Sequence, residues 1–202
     1  AILLERDDVD AALRHLGRAA DPVPNDPTIQ MTLGRAFANR GTDAFAEKAF
    51  ENALRVKPDF VAARHALGSL TLRARRMREA EAHYRQAVNF DGEDPKILTA
   101  LAWCIFLNPD HPEGQRTQEA RKRLSDVINL HRHGDAAYRL GLLLRKGGDE
   151  GGAQRQFAAA HRMDPDHVEA AREVRLVEMR AKNAEAERKD AAGFLGKLGL
   201  KK

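Results

Sequence analysis

Small and large apolar residues return along this chain at a fixed interval of 34 residues. Ala12, Ala46 and Ala80 stand in register, as do Leu16, Phe50 and Tyr84, and Ala19, Ala53 and Ala87. Gly34, Gly68 and Ala102 keep the same step, and so do Pro24 and Pro58. After an interruption the series resumes at Leu140, Gly141, Ala153, Phe157, Ala160 and Pro165. The small positions predict antiparallel helix pairs whose backbones approach closely, and the large ones fill the space between neighbouring pairs. Gly41 and Gly148 fall between the helices of a pair, where a positive φ is easily met. The prolines punctuate the turn into the next unit. Each pair leaves an apolar face that only another pair covers. The predicted fold is therefore all-α, a right-handed α-solenoid of helix-turn-helix repeats.

The rhythm changes near the C-terminal end. Residues 168–190 form one long predicted helix with an apolar stripe of Val168, Ala171, Val174, Val177 and Ala181 and a charged opposite side, which suits a solvating cap. Residues 191–202, "AAGFLGKLGLKK", make a basic apolar tail. Phe194, Leu195, Leu198 and Leu200 with three lysines suit docking on a partner or on a neighbouring copy, so self-association is open to this chain. The stretch is too short and interrupted for stable membrane insertion.

Composition agrees with helices: 43% of residues are hydrophobic, 32% charged and only 5% aromatic. The net charge of +4 suggests nucleic acid until it is placed along the chain. Lys197, Lys201 and Lys202 supply most of it, so residues 1–190 are close to neutral, with both signs mixed on the same helices. A single cysteine makes no internal disulfide, which fits a reducing compartment, and the expected location is cytoplasmic.

The in-register residues resemble the tetratricopeptide repeat family. That family carries Leu-Gly early in its first helix, then Ala, an aromatic and Ala in the second, and Pro at the junction. "PTIQMTLGRAFANRGTDAFAEKAFENALRVKPDF", from Pro27 to Phe60, matches nearly all of these; 61–94 matches with Gly92 in place of the proline, and 134–167 matches almost completely. The resemblance implies a partial repeat at 1–26 and repeats at 27–60, 61–94, 95–133 and 134–167, then the capping helix 168–190 and the tail 191–202. Because Ala1 falls inside a first helix, further repeats or another domain are expected upstream. The arrangement is also similar to C-terminal repeat arrays of larger bacterial multidomain proteins that act in co-chaperone, signalling or cell-polarity systems. A structural scaffold or self-assembly module is thus the alternative reading.

The repeat at 95–133 is irregular. Ala102 and Gly141 stand 39 residues apart, and the extra segment "NPDHPEGQ", from Asn108, reads as a rigid exposed loop. Trp103 and Cys104 precede it. Cys104 with His111, His131 and His133 lacks the short fixed spacings of a zinc site, so Cys104 is expected in the core and no metal or other cofactor is expected. "KGGDEGG", from Lys146 to Gly152, lacks the ending of a phosphate loop and reads as a turn. The basic run "RARRMR", Arg73 to Arg78, has no interleaved aromatics and reads as a solubilising edge, so no nucleic-acid partner is expected. No catalytic constellation is present, and the expectation is a protein that is not an enzyme.

What the resemblance implies instead is a concave groove, formed by the first helix of each pair, that holds a partner peptide or amphipathic helix. Its best-known form is a carboxylate clamp for the C-termini of the Hsp70 and Hsp90 chaperones. At the matching positions this chain has Met31, Arg35, Ala66, Lys96 and Ala100, of which Lys96 alone fits; one repeat along they are His65, Ser69, Ala100, Asp135 and Arg139. No Hsp70/Hsp90 clamp is expected. The groove positions read as a mixed apolar strip of Met31, Arg35, Asn39, His65, Ser69, Leu72, Thr99, Trp103 and Phe106, continuing with Tyr138, Leu142 and Arg145. Arg172, Leu176 and Met179 extend it along the cap. Trp, Tyr, Met and Arg are enriched at interface hot spots.

Overall fold

The structure of the protein, a computed structural model, is described over residues 26–197, apart from the side chains of 188 and 190–197. The expected partial repeat at 1–26, with Ala12, Leu16, Ala19 and Pro24, and the end of the tail at 198–202 lie outside the described residues. Nine helices run through the described part: α1 (Pro27–Asn39), α2 (Asp43–Val56), α3 (Val61–Arg73), α4 (Met77–Phe90), α5 (Pro95–Leu107), α6 (Glu113–His131), α7 (Gly134–Lys146), α8 (Glu150–Met163) and α9 (Val168–Lys197). They form an all-α array of helix-turn-helix repeats in two compact units, one ending at Arg123 and one beginning at Leu124.

In the first unit α1 packs on α2 and α3 on α4. Asp26 and Asp94 cap α1 and α5 by accepting the Thr28 and Lys96 N–H groups at 2.7 and 2.8 Å, with a proline at the first helical position of each. The missing Cβ is what seats the aromatic ring of each pair. A Cβ on Gly34 would lie 2.3 Å from the Phe50 ring, and one on Gly68 would lie 2.8 Å from Tyr84. Phe50, Ala46 and Ala53 are buried with Met31, Ala63, Leu67 and Leu70. Tyr84 and Ala80 are buried with Leu101, Cys104 and Ile105.

The turn between helices needs a left-handed residue. Gly41 supplies it at φ 74° after α1. The residue 34 places on is Arg75, which adopts φ 62° without glycine's freedom.

The second unit repeats the plan with α7 and α8. A Cβ on Gly141 would lie 2.5 Å from the Phe157 ring, Gly148 takes φ 84° in the turn, and Asp149 caps α8 by accepting the Gly152 N–H at 2.7 Å. The segment "KGGDEGG" is thus a turn and the start of a helix. α9 packs on α8, and Ala170 is buried with Ala137 and Ala160. The stripe expected on α9 holds in part: Ala171, Val174 and Val177 are half-buried, but Ala170 is the fully buried residue, whereas Val168 is 69% exposed and Ala181 is exposed. From Glu178 to Glu187 every side chain is exposed, and the helix continues past Asp190 to Lys197.

The irregular segment also differs from its expectation. Only Asn108 to Pro112 is non-helical, because Glu113 opens α6, and Asn108 is buried rather than exposed. The cause is Glu81 of α4, whose side chain is 8% exposed. Its Oε2 accepts from Asn108 Nδ2 at 2.7 Å and lies 2.8 Å from His111 Nε2, and Arg85 bonds Oε1 at 2.7 Å. One repeat earlier the equivalent Glu47 reaches Arg76 at 2.8 Å. The glutamates of α2 and α4 therefore each tie down the turn of the next repeat.

Candidate functional site

The face of α1, α3 and α5 carries a cleft of about 540 Å³. Met31, Phe60, Val61 and Ile97 are its apolar lining, and Arg35, Lys96, Lys57, Asp59 and Asp94 its charges. Two of those charges are already engaged. The Asp94 carboxylate caps α5, and the Lys57 ammonium lies 5.3 Å from the Phe60 ring centroid. Arg35 and Lys96 leave the cleft with a cationic excess.

His65 lies in this cleft with its ring 5.8 Å from Tyr84. Burial lowers its pKa below the usual 6.5; Asp94 opposes this, and Lys96 and Arg35 reinforce it. At neutral pH it is an uncharged ring. Beside it Ser69 Oγ and the Tyr84 hydroxyl are hydrogen-bonded at 3.1 Å.

The expected groove residues of this unit divide by burial. Arg35 and Asn39 are exposed, and His65, Ser69, Leu72 and Trp103 are half-buried. Met31 is buried in the first core and shows only its edge to the cleft. Thr99 is completely buried and Phe106 is 5% exposed, so both belong to the packing beneath the face. Trp103 rests on Phe106 with ring centroids 5.2 Å apart, which holds the indole against a fixed support.

In the second unit the Tyr138 ring packs against Phe157 and His167 at 5.5 and 4.8 Å between centroids. It lines a further cleft of about 540 Å³ with Leu142, Val168 and the carboxylates of Asp135, Asp166 and Glu169. Arg145 does not stand open to a partner. It bonds both carboxylate oxygens of Glu173 at 3.0 and 2.8 Å, lies 3.3 Å from Glu150 and covers the Phe157 ring at 4.6 Å. The guanidinium in turn holds the Glu173 carboxyl below its usual range against the opposing effect of burial. Arg145 is thus a strut between α7 and α9. Arg172 and Met179 are exposed on α9, and Leu176 is half-buried.

The sites set aside on sequence grounds have structural places too. Cys104 is fully buried, burial pushes its thiol up to about 12, and its Sγ lies 3.6 Å from the Met77 carbonyl, so it holds no thiolate at neutral pH. The basic run is bound up in ion pairs: Arg73 with Asp43 at 2.9 Å, Arg76 with Glu47 and Glu79, and Arg78 with Asp110 at 2.9 Å. Among the described residues no group of three His, Cys, Asp or Glu is placed to hold a metal ion, and no helix is long and apolar enough to cross a membrane. Sequence reasoning named Lys96 only as a clamp position and left it out of the groove strip, and it missed the Glu81 anchor. The recurrence of glutamate at 47 and 81 is the signal that marks the anchor.

A family model of the tetratricopeptide repeat matches residues 45–96. The chain has no match among curated proteins. Among solved structures, TTC0263, a thermophilic TPR protein of Thermus thermophilus, is 17% identical with a TM-score of 0.68, over 84% of this chain and 90% of that one. MamA from residue 41 to its end, of Desulfovibrio magneticus RS-1, is 19% identical with a TM-score of 0.66, over 80% and 89%. YrrB, described as a TPR protein with an unusual peptide-binding site, is 19% identical with a TM-score of 0.61, over 82% and 83%. At these identities the similarity establishes the fold.

Proposed function

We propose, since the chain belongs to the tetratricopeptide repeat family, that it is a non-enzymatic interaction module holding a partner segment on the face of its first helices. The observation that carries this reading is the cleft of α1, α3 and α5, where an apolar lining of Met31, Phe60 and Val61 lies beside Arg35 and Lys96. A segment with an acidic side chain next to a large apolar one satisfies both halves of that surface. His65, uncharged at neutral pH, adds a polar ring without adding repulsion. Trp103, Tyr138 and Leu142 offer further apolar contact, and Arg172, Leu176 and Met179 extend it on α9. Thr99, Phe106 and Arg145 act by supporting the surface. YrrB, with its peptide-binding site, is a precedent for peptide capture on this fold. In this reading the chain works in a reducing compartment such as the cytoplasm, without a cofactor, and neither chaperone C-termini nor nucleic acid is its ligand.

To test it, peptides are selected from a displayed random library on the wild-type chain and re-measured on Arg35→Glu/Lys96→Glu. The expected peptides pair an acid with a large apolar residue, and the double charge reversal weakens them about tenfold or more with unfolding unchanged. Peptides without acids, or equal affinity for both proteins, contradict the proposal.

A further inference from the structure

The cleft of the second unit has the opposite electrostatic character. Its lining pairs the apolar surfaces of Tyr138, Leu142 and Val168 with Asp135, Asp166 and Glu169. Arg139 answers Asp135 at 2.8 Å. Glu169 lies 3.3 Å from His167 Nδ1, a nitrogen that also accepts the Ala170 N–H at 3.3 Å. The Asp166 carboxylate has no ion pair among the described residues. Val168, the most exposed apolar side chain here, projects from a cleft whose charges are acidic in excess. The complementary occupant is a segment with large apolar residues, several cations and no acid.

The chain itself contains one. Phe194 to Lys202, "FLGKLGLKK", carries Phe194, Leu195, Leu198 and Leu200 with Lys197, Lys201 and Lys202 and no carboxylate side chain. We propose that the cleft lined by Asp166, Val168, Glu169 and Tyr138 receives residues 194–202 of a second copy of this chain. The contact cannot be made within one copy. The 30 residues of α9 run about 44 Å at 1.5 Å each, and the cleft lies at the beginning of that helix. The residues after Lys197 span less than about 18 Å even when extended. A copy whose tail is bound elsewhere still has its own cleft open, so both clefts are filled either in a reciprocal pair or along a growing array. Arg35 and Lys96 make the cleft of the first unit a poor site for the same lysines.

The test is sedimentation equilibrium of the full chain across a wide concentration range. Three variants accompany the wild type: Asp166→Lys/Glu169→Lys, Lys197→Glu/Lys201→Glu/Lys202→Glu, and the two sets combined. The wild-type mass is expected to rise above 22.5 kDa with concentration and to fall back as salt is added. Each set alone weakens association about tenfold or more, and the combination recovers it. Far-ultraviolet circular dichroism checks the fold, and Asp166→Lys alone, outside α9, serves as the cleft variant if Glu169→Lys lowers helix content. A wild type that stays at monomer mass overturns the proposal. So does either reversal associating like the wild type, or a folded combination that fails to recover. Arg35, Lys96 and Trp103 are untouched in all of these, so failure here leaves the peptide reading of the first unit standing.

Discussion

Glu81 shows how one residue can set the local pH response. Burial pushes its carboxyl up, but the hydrogen bonds from Asn108, His111 and Arg85 outweigh it and hold the pKa below the usual 4.5. Its contribution to stability is therefore complete above pH 4.5 and is lost as pH falls through the lowered folded value. His65 and His83 are also lowered, mainly by burial, from 6.5. They resist protonation in the folded state, so their contribution is complete above pH 6.5 and declines below it. Wild-type stability should then fall in two windows on acidification. Glu81→Gln must turn an amide donor toward Arg85 or toward Asn108, and costs about 1–3 kcal/mol at neutral pH. Denaturant titrations across pH should show that variant with a shallower lower window, the share of Glu173 remaining, and with the upper window kept. An unchanged acid slope below 4.5 would contradict the anchoring role.

At the scale of the element, the turns report where the repeat is strained. Arg75 holds a left-handed backbone where the neighbouring repeat has Gly41. Relief of that strain exceeds the entropy glycine adds to the unfolded chain, so Arg75→Gly should stabilise by about 0.5–1 kcal/mol in chemical denaturation. A loss of stability would mean that the Arg75 side chain matters more than its φ. The helices themselves were legible because the residues at 46, 50, 53, 80, 84, 87, 153, 157 and 160 face a neighbouring helix at every turn of the period. The groove was legible only in part. Periodicity places Thr99 and Phe106 on the same face as Trp103, but burial depends on the bulk of what packs over them. Arg145 reads as an open cation in sequence, and only the fold brings Glu173 within 2.8 Å of it. The α9 stripe differs at its start because Ala170, not Val168, packs with Ala137 and Ala160. Asn108 was hidden for the same reason, since its partner Glu81 lies 27 residues away.

For the molecule as a whole, the repeats supply two clefts of similar volume and opposite charge balance, cationic in the first unit and acidic in the second. The buried Cys104 thiol stays protonated, and Glu81, Glu173, Arg76 and Arg145 are taken up in ion pairs. Amide hydrogen exchange locates binding on the face of the first helices directly. With the tightest acidic peptide from the selection bound to the full chain, exchange should slow in α1, α3 and the start of α5. The exposed sides of α2 and α4 should be unchanged. Slowed exchange confined to α2 and α4, or none in α1 and α3 at saturating peptide, would contradict it.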